Sequence, residues 1–253
     1  MSDLNGFVKR IRDIMRQDAG INGDAQRIEQ IAWMLFLKVY DAQEYDWEMD
    51  DASYVSIIPQ KCRWREWAVD DKKGTALTGD KLLDFVNNTL FPELKSLEVD
   101  ANTPIKKAIV KTAFEDANQY MKDGVLLRQI VNIIDGIDLG DYEESHAFGE
   151  IYESILKELQ NAGSAGEFYT PRAVTDFMAE MIQPRIGEQM ADFACGTGGF
   201  LVSWLKQLEK QVDNTAASEA MGQSIYGIEK KPFPYMLCIT NMLLHGVDVP
   251  RVY

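Results

Sequence analysis

The sequence predicts an all-α N-terminal domain followed by an incomplete α/β domain of the Rossmann-like kind. Three observations lead there. Apolar residues recur at helical spacing through the first half of the chain. From Thr170 onward, short apolar strands alternate with helices, the pattern of a parallel sheet. A glycine-rich turn joins the first of those strands to the helix after it. Gly136, Asp138, Asp141, Glu143 and Glu144 mark the break, which divides the chain into 1–142 and 143–253.

The first helix is expected over 4–15, with Leu4, Phe7, Val8, Ile11, Ile14 and Met15 on one side and Lys9, Arg10, Arg12 and Arg16 elsewhere. Asp24 is expected to cap a second helix carrying Ile28, Ile31, Ala32, Leu35, Phe36, Val39 and Tyr40. Trp33, Met34 and Leu37 widen its stripe, so it should be buried on most sides. Beyond it, Asp41, Glu44, Asp46, Glu48, Asp50 and Asp51 read as a solvated helix end and loop.

Lys61, Arg63 and Arg65 interleave with Trp64 and Trp67, a pattern open to reading as a nucleic-acid patch. Aromatic residues at i and i+3 share a helix face, which favours packing. Further helices are expected over 81–97, 105–121, 125–134 and roughly 148–159, the last followed by a glycine-containing loop at 161–166. The second half then runs helix 173–182, strand 190–194, helix 200–210, polar loop 213–223, strand 224–228 and helix 235–245.

A chain of 253 residues with 46% apolar content can build two modest cores. Its formal net charge of −14 disfavours adhesion to polyanions, since duplex DNA is held largely by Lys and Arg neutralising phosphates. The three cysteines, Cys62, Cys195 and Cys238, show neither a disulfide framework nor zinc spacing, which fits a reducing cytoplasm. His146 and His245 stand apart, so no metal site is expected. No apolar run approaches the ~20 residues of a membrane span, and the N-terminus lacks a signal-peptide pattern.

Three segments carry chemistry. Asp192-Phe193-Ala194-Cys195-Gly196-Thr197-Gly198-Gly199-Phe200 lies between a strand and a helix, where backbone N–H groups can approach a ligand closely. It matches neither the dinucleotide fingerprint, which needs a third glycine, nor a P-loop, which needs Gly-Lys-Ser/Thr. Glu229 ends the next strand, the position of a ribose-hydroxyl acceptor in such folds. Gly166-Glu167-Phe168-Tyr169-Thr170-Pro171-Arg172 pairs aromatic residues with a helix entry, Thr170 as cap and Pro171 in the first turn.

Together, and in this order, these segments resemble the modification subunits of type I restriction-modification systems, gamma-type N6-adenine DNA methyltransferases. The helical N-terminal region and the segment around Tyr152, Glu153 and Leu156 are similar to those subunits as well. The resemblance implies S-adenosylmethionine as cofactor. It sets Glu167, Phe168, Tyr169, Thr170, Pro171 and Arg172 at the methionine end, Asp192 at the methionine amino group, Gly196, Thr197, Gly198 and Gly199 as backbone cradle, and Glu229 on the ribose hydroxyls. Cys195 is expected to be a small packing residue, since the family forms no covalent intermediate on adenine.

The resemblance also implies partners: a specificity subunit, a second modification subunit and a restriction subunit, with DNA bound only within that complex. The family holds the flipped adenine with an Asn-Pro-Pro-aromatic segment. No asparagine here precedes a proline, so no catalytic residue is nominated, and the chain alone is expected to be inactive. A non-catalytic assembly or regulatory fragment is the alternative, and a nicotinamide-dependent oxidoreductase a more distant one. A sheet ending after two strands would leave an open edge, through which the fragment is expected to form a homodimer.

Overall fold

The computed structural model describes residues 4–70, 73–139, 149, 152, 153, 155, 156 and 170–253. The N-terminal region is helical, as its periodicity predicts. Helix α1 (Leu4–Met15) buries Phe7, Val8, Ile11 and Met15. Helix α2 (Gly23–Asp50) buries every residue from Ile31 to Leu37 and forms the axis of the core. Its start differs from expectation: Asn22, not Asp24, occupies the N-cap position. Gly23, at φ +81°, swings the chain into the helix, leaving Asp24 in the first turn, paired with Arg27 at 2.6 Å.

The acidic stretch is a correction of a different kind. Helix α2 continues to Asp50, and Asp41 and Glu44 are buried rather than solvated. Arg65 Nε donates to Asp41 at 3.0 Å and its Nη1 to Glu48 at 2.8 Å, while Arg63 Nη1 donates to Glu48 at 3.0 Å. Tyr54 donates its hydroxyl to Glu44 at 3.0 Å. The same segment settles the tryptophans. On α3 (Trp64–Trp67) both rings are buried and meet edge to face at 5.1 Å, and Trp64 Nε1 donates to Asp135 at 2.9 Å. They are core, and the arginines beside them serve the acidic cluster.

The helix expected over 81–97 is composite. α4 (Gly79–Phe85) passes through a π-turn (Val86–Leu90) into α5 (Phe91–Lys95). Pro92 supplies the reason: it has no N–H and its ring crowds the carbonyl four residues back, and a widened turn relieves both. α6 (Ile105–Phe114) ends earlier than position 121. Tertiary acceptors win over helix continuation there. Tyr120 N–H goes to Gln30 Oε1 at 2.9 Å, and the N–H groups of Lys122 and Asp123 go to the buried Asp18 carboxylate at 2.9–3.1 Å. Asp123 then caps α7 (Gly124–Asp135) through the N–H groups of Val125 and Leu126.

After the break come α8 (Arg172–Ile182), β1 (Met190–Asp192), α9 (Gly199–Glu209), α10 (Thr215–Gly222), β2 (Ile225–Gly227) and α11 (Pro232–Leu244). α10 replaces the expected polar loop. Asn214 caps it, accepting from Ala217 N–H at 2.9 Å, so a helix fits where polarity alone suggested coil. β1 and β2 pair in parallel, with Met190 opposite Ile225 and Asp192 opposite Gly227. The sheet does not stop at two strands, because Gly227 N–H bonds Arg251 O at 2.9 Å and Tyr253 N–H bonds Gly227 O at 3.0 Å. A third parallel line therefore begins on the far side of β2.

Helix α11 joins the two regions. It packs on α2 and α6 and is buried from Pro234 to Leu243. Beyond its end, Asp248 accepts from Gln43 Nε2 at 3.4 Å and from Trp47 Nε1. α8, by contrast, leaves Val174, Phe177, Met178, Met181 and Ile182 exposed along one stripe. Among the described residues, no helix is long and apolar enough to cross a membrane.

Candidate functional site

The site forms where β1 and β2 end side by side. Parallel strands present their carboxyl ends together, and the turn after β1 stays fastened to β2: Ile228 N–H reaches Asp192 O at 2.9 Å and Cys195 N–H reaches Ile228 O at 3.0 Å. Gly196 (φ +55°) and Gly198 (φ +80°) adopt the left-handed backbone that side chains resist. Gly198 also lacks room: a Cβ there would lie 2.9 Å from Cys238 Sγ and 3.0 Å from Met242 Cε. Gly198 N–H folds back onto Cys195 O at 2.8 Å and the chain enters α9.

Glu229 lies beside this turn. Its Oε2 accepts from Gly196 N–H at 2.9 Å and its Oε1 from Lys231 N–H at 2.8 Å. A carboxylate oxygen accepts two hydrogen bonds, so both retain capacity for a ligand hydroxyl. Asp192, half-buried at the end of β1, accepts from Ala194 N–H through Oδ1 at 3.1 Å. Thus two carboxylates and the glycine turn converge at one sheet end. Carboxylates there suit hydroxyl or ammonium donors, and the turn suits close backbone approach.

Arg172 reaches the same turn from α8. Its Nε and Nη2 grip the Glu153 carboxylate at 2.5 and 2.8 Å, and its Nη1 is buried, 2.6 Å from where a Cβ on Gly199 would stand. A cation in the first turn of a helix opposes the helix dipole, and Glu153 offsets that cost. Thr170 and Pro171 are exposed at the helix entry. Pro171 itself holds the N-cap position that Thr170 was expected to take, without a side-chain cap, because proline's φ and extended ψ already turn the chain in. Glu167, Phe168, Tyr169 and His146 lie outside the described residues.

Cys195 is buried, with its sulfur 4.0 Å from Cys238 Sγ. The contact with Cys195, and then burial, push the Cys238 thiol well up, which keeps it protonated and suits packing. His245 donates from Nδ1 to Asn241 O at 2.8 Å, and burial pushes its pKa down, so it is neutral at neutral pH. No His, Cys, Asp and Glu group among the described residues could hold a metal ion. Asn241 carried no motif signal. It is fully buried on α11, and its Nδ2 donates to Thr197 O at 3.2 Å.

The N-terminal region, residues 4–134, matches the family model for the HsdM N-terminal domain, and residues 143–253 match that for N-6 DNA methylase. The methylase subunit of the type I restriction enzyme EcoEI from Escherichia coli is 49% identical over 98% of this chain and 50% of its own length. The EcoKI methylase subunit from Escherichia coli K12 is 25% identical over 98% of this chain and 44% of its own. The chain thus spans about half the length of the curated relatives it matches.

A crystal structure of a modification subunit of a putative type I restriction enzyme from Vibrio vulnificus YJ016 superposes with a TM-score of 0.78 at 38% identity, covering 98% of this chain and 54% of that one. A chain from a study of complex assembly and conformational transition of the type I R-M system gives 0.87 at 36% identity, covering 100% and 50%. One model lies on the helical region, a second on the strand, turn and helix region, and like relatives run across both. The chain therefore belongs to the family of type I restriction-modification methylase subunits.

Proposed function

We propose that this chain carries the S-adenosylmethionine-binding part of a type I modification subunit, with 1–142 as its helical domain and 143–253 as the leading part of an incomplete Rossmann-like methyltransferase domain. The complete subunit transfers a methyl group to adenine N6 in DNA. The observation that carries this reading is the convergence of Asp192, Glu229 and the Gly196–Gly199 turn at the carboxyl ends of two parallel strands. When bound, S-adenosylmethionine supplies an electrophilic methyl group on its sulfonium.

The residues of this chain fit that cofactor. Glu229 orients the ribose hydroxyls, its own position fixed by the N–H groups of Gly196 and Lys231. Asp192 faces the amino group of the methionine part, and the turn lines the same end through backbone N–H groups. Glu167, Phe168, Tyr169, Thr170, Pro171 and Arg172 complete that end, with Arg172 steadied by Glu153. Calorimetric titration with S-adenosylmethionine tests the assignment. Saturable binding is expected, weakened about tenfold or more by Glu229→Ala and by Asp192→Ala, the loss of at least one charge-assisted hydrogen bond each. Equal affinity in both variants would place the cofactor elsewhere.

DNA recognition belongs to the assembly, with a specificity subunit, a second modification subunit and a restriction subunit as partners; a cytoplasmic location fits that role. These 253 residues alone are expected to transfer no methyl group, because no asparagine in them precedes a proline. Incorporation of labelled methyl into adenine by the isolated chain would refute this. The homodimer is proposed through the open sheet edge, which on the side of β2 is already lined by Arg251–Tyr253, and the exposed α8 stripe is further apolar surface that a second layer would cover. Light scattering that shows one monomeric mass across micromolar concentrations would dismiss the homodimer. A non-catalytic assembly role stands as the second reading, favoured by α11, which ties the turn to the helical region.

A further inference from the structure

Helix α11 is the floor of the glycine turn. Its Cys238 and Met242 lie under Gly198, and Asn241, on the same helix, lies under Thr197. The Asn241 side chain is wholly buried, and only half of its amide is used: Nδ2 donates to Thr197 O at 3.2 Å while Oδ1 has no partner among the described residues. The amide orientation is set by its neighbour, since a carbonyl can accept only from the Nδ2 end.

A buried orphan oxygen is unfavourable, and an apolar side chain of similar shape would avoid it. The donor half must therefore matter. Thr197 is itself buried, so its carbonyl has no access to bulk water, and Asn241 satisfies it. The Thr197–Gly198 peptide is thereby held at both ends, its C=O by Asn241 and its N–H by Cys195 O at 2.8 Å. Fixing one peptide plane in a tight turn narrows the φ/ψ range left to the planes on either side, which carry the N–H groups that a ligand would meet.

We propose that Asn241 is a positioning residue for the cofactor: it sets the orientation of the Thr197–Gly198 peptide from below and makes no contact with the ligand. The proposal rests on reading the turn as the cofactor cradle. Because α11 also packs on α2 and α6, the turn takes its geometry from a helix anchored in the N-terminal region.

Asn241→Asp makes the role titratable. A buried carboxyl favours its neutral form, whose O–H can donate to Thr197 O, whereas the ionised form presents only acceptors. In 1H–15N spectra recorded from pH 5.5 to 8, the Thr197, Gly198 and Gly199 amides of this variant are expected near their wild-type positions at the acidic end and displaced together at the alkaline end. The wild type carries the same titratable and charged groups around this part of α11, Cys238 and His245 on the helix itself, Cys195, Asp192 and Glu229 acting on Cys238, and Lys206, Glu153 and Arg172 acting on His245, so comparison subtracts their effect.

Asn241→Leu, which keeps the volume, should displace the turn amides at every pH while those of α2 and α6 stay in place. Turn amides unmoved in Asn241→Leu would overturn the proposal. In calorimetry, Asn241→Leu should bind S-adenosylmethionine about tenfold more weakly, and Asn241→Asp should regain affinity as pH falls. A wild type that binds no cofactor would overturn the cradle reading alone, because the amide spectra still judge whether Asn241 holds the turn.

Discussion

The helical region and the strand-containing region treat apolar surface differently. In the first, even charged groups are enclosed: Glu44 is fully buried, Asp41 nearly so, and Arg63 and Arg65 fold over them. In the second, α9 buries Leu201, Leu205 and Leu208, while α8 beside it leaves Phe177 59% and Ile182 63% exposed. Helices can surround one another and close a core among themselves. A helix beside a parallel sheet covers one face with its inner side and leaves its outer side to solvent or to a further layer. The core around α2 is closed once α11 packs on it, whereas the outer stripe of α8 stays uncovered among the described residues.

The sharpest way to break this comparison is to cut an aromatic residue from each region. Trp64→Ala, which removes a buried ring and its bond to Asp135, should destabilise the chain by roughly 3–5 kcal/mol. Phe177→Ser on the exposed stripe should change stability by no more than about 0.5 kcal/mol. Urea unfolding of both variants reads the difference, and comparable losses would mean that α8 is covered in solution.

A smaller effect separates two glycines within the strand region. Gly198→Ala forces a side chain into left-handed backbone and against Cys238, and should cost about 1–3 kcal/mol and impair cofactor binding. Gly222→Ala, at the end of α10 with nothing within 4 Å of the new methyl group, should be neutral or stabilising by up to about 1 kcal/mol. Thermal unfolding with and without S-adenosylmethionine distinguishes them. A Gly198→Ala variant with undiminished affinity would show that the turn tolerates a different backbone.

The enclosed acidic cluster sharpens the comparison through pH. Burial pushes the carboxyls of Glu44 and Asp41 up, against the opposing pull of Ser56, Tyr54 and Arg63 on the first and of Arg65 and Lys38 on the second. A carboxyl that binds its proton more tightly in the folded state favours folding most at low pH, and that contribution is lost as pH rises through the raised folded value. Glu44→Gln should therefore flatten part of the decline in urea midpoint above the ordinary carboxylate range. An unchanged slope would mean that Glu44 is ionised at no cost, with its arginines compensating fully.

What was legible in the sequence followed local rules. Spacing marked α1 to its final residue, and the apolar width of α2 announced its burial. The glycines of the turn were visible because left-handed backbone selects them, and Glu229 because it follows a strand at the position where such folds place an acceptor. Other features were decided across distance. The end of α6 depends on Asp18 and Gln30, which lie far away in the chain, and the polarity of 213–223 concealed a helix that needed only Asn214 to start it.

By itself, the sequence determined that helices precede a strand–turn–helix region and which chemical types gather at the turn, since these are encoded in neighbouring residues through periodicity and backbone freedom, and the family through the resemblance carried by three ordered segments. Only the tertiary structure decided that Asp41 and Glu44 pair with Arg63 and Arg65, that a third strand line begins at Arg251, and that Asn241 lies beneath Thr197. Those pairings join residues 19 to 44 positions apart, where satisfying a buried polar group depends on which surfaces the packed helices bring together.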